Sequence, residues 1–144
     1  MRVKCHIDHS DHRRVPPGFS NSVKNALQQV GNNDDEVSVI LCNDSHIRRL
    51  NRDFLNQDKT TDVLSFDLSD PQANQIVGEI YINLDRVRKQ AMEFGVSFWN
   101  ELVRLTIHGI LHLYDYDDSD PISRGKMIAK QEEMLAKCHH HLHC

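Results

Sequence analysis

The residues best suited to chemistry lie in one segment, HGILHLYDYDD at 108–118. His108 and His112 are four residues apart, so on a helix they share a face, with Cβ atoms about 6 Å apart. At that separation two imidazoles converge on one metal ion. Asp118 follows beyond a turn, and Asp115 and Asp117 crowd into the same loop. The pattern H-x3-H-x5-D folds back so that a carboxylate completes the set. Three protein ligands with an open fourth position describe a catalytic rather than a structural zinc site. Two histidines and a carboxylate also suit Fe(II) and other divalent ions, so zinc is favoured by chemistry without being unique. The plainer alternative is two desolvated histidines satisfied by hydrogen bonds in a core, followed by a solvated acidic turn. The third ligand position tips the reading toward His108, His112 and Asp118 as metal ligands, with Asp117 a candidate to orient one of them. A chain that must turn back on its own helix usually exits through a left-handed residue, normally glycine. Here that position is Asp115, which tolerates the conformation at some cost.

The elements that must carry these residues read as follows. The histidines sit on a helix capped by Ser97 and running to about Leu113. That helix is apolar on most sides, which places it inside the domain. Residues 2–7 read as a short strand. A helix follows from about Ser20, with Val23, Ala26, Leu27 and Val30 as its stripe, and ends in the polar loop 31–35. Residues 36–42, rich in β-branched side chains, form a buried strand. Asn43-Asp44-Ser45 caps a second helix through about Leu55, with Ile47, Leu50 and Phe54 facing the core. Strands follow at 62–66 and 77–82, then helices over about 85–94 and 123–137. The sum is an α+β fold: a single domain with a mixed sheet of about four strands, packed by about five helices, with the metal site at the end of the long central helix.

Length and composition agree. The 144 residues fit one domain, taken as residues 1–137 followed by a His/Cys-rich tail, 138–144. No apolar run reaches the ~18–20 residues of a membrane span. The start, MRVKCHIDHSDHRRV, is too polar for a secretory signal, so a cytoplasmic protein without membrane contact is expected. The net charge of −4 excludes whole-domain basicity as a route to nucleic acid. Any RNA contact must use a local patch, for which Arg48, Arg49 and Arg52 on the second helix and Arg86, Arg88 and Lys89 on the third are available. Cys5, Cys42, Cys138 and Cys144 show no C-x-x-C spacing and are expected to be free thiols. The tail CHHHLHC captures soft divalent ions by composition but matches no closed zinc module. The series His6, His9 and His12 reads as a polar surface segment.

HGILHLYDYDD resembles the signature HGxLHLxGYDH of the YbeY family, bacterial endoribonucleases that mature ribosomal RNA. TDVLSF at 61–66 matches a second family block, and LNRDFLNQDKT at 50–60 resembles the run before it. Gly78-Glu79-Ile80 is similar to the family's G-D-I strand, and Gln131-Glu132 with Leu135 to its C-terminal helix. The similarity spans about residues 36–135 in order. It implies a zinc-dependent, single-strand-preferring endoribonuclease that acts at the 3′ end of 16S ribosomal RNA and in ribosome quality control. Ribosomal RNA and the small ribosomal subunit are then the implied partners, and His108 and His112 match the first two family ligands. Three positions depart. The third ligand, usually histidine, is Asp118; the family glycine is Asp115; and an arginine thought to act on the phosphate is Leu55. Arg52, one turn earlier, or Lys59 is the candidate replacement for binding substrate.

Two rivals remain at this level. The ligand spacing is also that of H-E-x-x-H-x-x-G-x-x-H peptidases, but the position of their general base is Gly109. The altered residues also leave room for a catalytically weakened RNA- or ribosome-binding protein with a structural metal.

Overall fold

The buried side chains of two neighbouring strands set the architecture. In β2 (Glu36–Cys42) and β4 (Val77–Asn83) alternate residues are buried, with Val37, Val39 and Leu41 on one and Gly78, Ile80 and Ile82 on the other. Alternation with period two turns these side chains to a single face of the sheet. The other elements are β1 (Arg2–Asp8), α1 (Phe19–Gln28), α2 (Asp44–Leu55), β3 (Val63–Asp67), α3 (Leu84–Phe94), α4 (Phe98–Leu113) and α5 (Pro121–Leu142). This computed structural model describes residues 1–142, with side chains described through Cys138. Strand order is β1-β2-β4-β3; the first two pairings are parallel and β3 runs antiparallel at the edge. The α+β fold, the four-stranded mixed sheet and the five helices are as expected. Among the described residues no helix is long and apolar enough to cross a membrane.

Helix α4 is the spine. Leu102, Val103, Leu105, Ile107, Ile110, Leu111 and Leu113 are all buried, against α1, α3, α5 and the sheet. It can lie this close to the strands because of Gly109, where an added Cβ would stand 2.6 Å from Ile80 Cγ2 and 3.1 Å from Val63 Cγ2. Ser65 on β3 locks the contact by donating its hydroxyl to the Gly109 carbonyl at 2.9 Å. The next residue, Phe66, points the opposite way and meets Phe54 of α2 edge-on, centroids 6.0 Å apart. Helices α2 and α4 therefore pack on opposite faces of the sheet. Two helix starts carry the expected caps, with Asn43 accepting from His46 N and Ser97 from Asn100 N, and Asn83 caps a third by accepting from Asp85 N and Arg86 N.

Several expectations need correction. Phe54 is 69% exposed, and the buried partners of Ile47 on α2 include Asn51 instead. The Phe54 ring meets Phe66 at one edge, and the rest stays open to solvent. Helix α5 starts at Pro121 and reaches Leu142, rather than spanning 123–137. Asp120 caps it by accepting from Ser123 N at 2.9 Å, and proline suits the first helical position. Asp35 is fully buried, although its segment reads as a polar loop. Cys5 and Cys42 are free, as expected, but Cys138 is disulfide-bonded. The metal-capture reading of the run 138–144 also lies outside the described side chains.

Candidate metal centre

The helical spacing of His108 and His112 brings their rings together on the half-exposed face of α4, with Nε2 atoms 3.1 Å apart. The rings are nearly perpendicular, with centroids 4.7 Å apart and planes at 77°. Asp118 arrives from the loop: its Oδ2 lies 3.8 Å from His112 Nε2 and 4.0 Å from His108 Nε2. The ligand atoms of all three residues fall within 4.8 Å of one another.

The turn that delivers Asp118 is a Schellman motif at the end of α4. Tyr116 N donates to Leu111 O at 3.0 Å and Asp115 N to His112 O at 3.3 Å, while Asp115 takes the left-handed conformation, φ 68°. An aspartate thus holds the position that normally falls to glycine. Beyond it, Asp117 accepts from the Ser119 amide at 2.8 Å and from its hydroxyl at 2.6 Å. It braces the loop and does not reach a ligand imidazole. Arg124 adds a further tie by donating from Nε to the Asp118 carbonyl at 3.3 Å.

The imidazoles are prepared for a cation. His108 Nδ1 donates to Gln131 Oε1, from α5, at 2.8 Å. That bond places the proton on Nδ1 and leaves Nε2 a bare acceptor. His112 is pushed below the usual histidine range, first by desolvation and then by the neighbouring His108, with Asp118 acting in the opposite direction. The two Nε2 atoms stand 3.1 Å apart, close enough for both to reach one cation. Nitrogen ligands of one tetrahedral zinc stand about 3.3 Å apart, given Zn–N bonds near 2.0–2.1 Å. Two imidazole nitrogens and one carboxylate oxygen are also a donor set that a borderline divalent ion accepts. The residues present fit a metal.

Among the described residues, none of the others singled out from the sequence joins this group. Arg52 is ion-paired with Asp53 at 3.3 Å on α2, and Lys59 lies in the loop after it, its carbonyl accepting from Asn51 Nδ2 at 2.9 Å. Helix α2 covers the opposite face of the sheet from α4. Arg48 pairs with Asp58, Arg88 meets His12 and Lys89 pairs with Glu93. Sequence reasoning assigned no role to Gln131 or Asp35. Asp35 accepts from Asn32 N at 2.8 Å, from Ile76 N at 2.9 Å and from the Tyr114 hydroxyl, so one buried carboxylate pins the C-terminal end of α4 to two loops. Burial raises its affinity for a proton, but these hydrogen bonds outweigh it and hold the group below the usual carboxylate range.

The family model described as Endoribonuclease YbeY matches residues 5–139, a span that includes all three candidate ligands and Gln131. The chain belongs to the YbeY family. A YbeY endoribonuclease of Chloroherpeton thalassium is 41% identical over 107 residues, covering 74% of each chain. One from Flavobacterium psychrophilum is 36% identical over 126 residues, 88% of this chain and 89% of its own. Among solved structures, the solution structure of a Thermotoga maritima protein superposes with a TM-score of 0.65 at 30% identity, over 95% of this chain and 89% of that one. The YbeY family is one of RNA-cleaving hydrolases, so the resemblance read from the two sequence blocks and the histidine motif holds.

Proposed function

We propose that this chain is a metal-dependent endoribonuclease that cuts single-stranded RNA during ribosomal RNA processing. Its substrate in this reading is the 3′ end of 16S ribosomal RNA, its metal zinc, its partner the small ribosomal subunit and its compartment the cytoplasm. Residues 1–137 form the nuclease unit and 138–144 an accessory tail. The observation that carries the proposal is the convergence of His108, His112 and Asp118 within 4.8 Å on a half-exposed helix face, in a chain of this family.

When bound, the metal supplies Lewis acidity to a phosphoryl oxygen and acidity to a bound water. The chain's own residues do the rest. His108 and His112 present their Nε2 atoms, Gln131 fixes the orientation of the first ring, and Asp118 contributes a carboxylate where relatives commonly place histidine. The charge on Asp118 offsets part of the cation's charge and makes the site less electrophilic than one with three imidazoles. Arg52, on the helix that covers the far face of the sheet, and Lys59, in the loop after it, are assigned to RNA backbone contacts. The peptidase alternative is disfavoured by Gly109. A side chain there points into Ile80, Val63 and Ser65, so no glutamate at that position can serve the metal as a base.

The test is a cleavage assay on single-stranded RNA with the zinc-loaded wild type, His112→Ala and Asp118→Ala, together with metal analysis of each. Cleavage by the wild type alone, and loss of metal from both variants, is the expected result. Equal cleavage by wild type and His112→Ala removes the metal-centred reading, and casein proteolysis without RNA cutting restores the peptidase.

A further inference from the structure

Helix α4 carries a second pair of polar groups on the same stripe as the histidines. Residues 101, 104, 108 and 112 are spaced by three, four and four, so they fall within one narrow sector of the helix. The rest of α4 is largely apolar and buried. Glu101 is only 1% exposed, yet its Oε1 has no hydrogen-bond partner. Arg104, with its side chain 28% exposed, lies over it, Nε to Oε1 3.7 Å, and its own buried Nε is likewise without a hydrogen bond. On the α5 side, Arg104 Nη1 stands 3.4 Å from Glu132 Oε1. Adjacent on α5 is Gln131, which holds His108.

Burying a carboxylate is costly unless a cation accompanies it, and this one is pushed above the usual range, first by desolvation, with Arg104 opposing. The pair therefore does not stabilise the fold cheaply. What it achieves is an arginine held from beneath by one carboxylate and at its side by another, one helical turn from a metal ligand. A guanidinium is always charged, and its planar fork matches phosphate oxygens. The arginines of α2 are on the other face of the sheet, and Arg124 is committed to the Asp118 carbonyl.

We propose that Arg104 is a phosphate-binding residue, contacting the RNA backbone beside the metal centre, and that Glu101 is the residue that positions it. This inference rests on the endoribonuclease reading and deepens it. The experiment measures binding of a single-stranded oligoribonucleotide across a salt series for wild type, Arg104→Gln and Arg104→Lys, with metal content and circular dichroism of each. One lost phosphate contact on a single strand lowers the slope of log K against log salt by about 0.7. Arg104→Gln is expected to show that drop and about tenfold weaker binding at low salt, with KM raised more than kcat is lowered. Arg104→Lys restores the slope because it keeps the charge. Independently of any variant, RNA protects Arg104 of the wild type from an arginine-specific dicarbonyl reagent, read by peptide mass spectrometry. An unchanged slope in a folded, metal-replete Arg104→Gln, or modification of Arg104 undiminished by saturating RNA, overturns the inference alone. A wild type that binds no single-stranded RNA overturns the functional reading and the inference together.

Discussion

At the scale of single residues, the turn that brings Asp118 toward the histidines holds an aspartate where helix ends favour glycine. Asp115 holds a left-handed conformation that costs an L-residue energy and costs glycine almost none. Asp115→Gly is therefore expected to stabilise the chain by about 0.5–1 kcal/mol, raising the melting temperature by about 2–4 °C. A calorimetric scan checks this, and a fall in melting temperature instead shows that the Asp115 side chain contributes something the backbone argument misses. Among the residues of the site, the histidine pair is legible in the sequence and Gln131 is not. Two histidines four apart share a helix face by geometry alone. The partner that orients the first imidazole comes from another helix, 23 residues away, and its place in a family-like helix says nothing of that contact.

At the scale of elements, the seating of α4 on the sheet decides where the ligands end up. Gly109 allows the close approach, and Ile80 Cγ2 would meet an added methyl at 2.6 Å. Gly109→Ala must push helix and strand apart, at a cost of about 1–3 kcal/mol. The midpoint of denaturant unfolding should fall at unchanged slope, and metal affinity should fall with it; an unaltered midpoint sinks the packing argument. The far end of α4 is held through Tyr114 and Asp35. Because the folded-state acidity of Asp35 is shifted below its unfolded value, the unfolded chain binds more protons as the pH drops. The stability this linkage adds is present above about pH 4 and is lost as the pH falls through the lower folded value. Tyr114→Phe removes one donor to this carboxylate. It should cost about 1–3 kcal/mol near neutral pH and less at pH 3, so the two unfolding curves converge in acid. Curves that stay parallel across that range exclude the linkage. Regular elements are easy to read because periodicity and caps are local signals. The start of α5 is readable too, from Asp120-Pro121, once a cap followed by proline is taken as a helix beginning. The exposure of Phe54 is not readable, since an apolar position on a helix gives no information on how far the neighbouring sheet extends.

At the scale of the whole molecule, the proposed metal centre draws on α4, the loop after it and α5, so metal binding there would be linked to folding. Metal that binds only the folded chain adds about 2.7 kcal/mol at a concentration 100 times Kd. Chelation should lower the melting temperature and abolish RNA cleavage, and zinc should restore both. Recovery of stability without recovery of cleavage would indicate a structural metal in a weakened relative.

The sequence by itself determined the element order, the four-stranded mixed sheet, the family and the two histidines. Each of these depends on periodicity, capping or motif spacing, which act within a few residues of chain. Only the tertiary structure decided that the helix carrying Arg52 lies behind the sheet, that Gln131, Glu101 and Arg104 share the side of the histidine pair, and that Asp35 anchors its helix. Those relations join residues from different elements, and they depend on which face of a strand each helix covers, a choice settled by packing across the whole core.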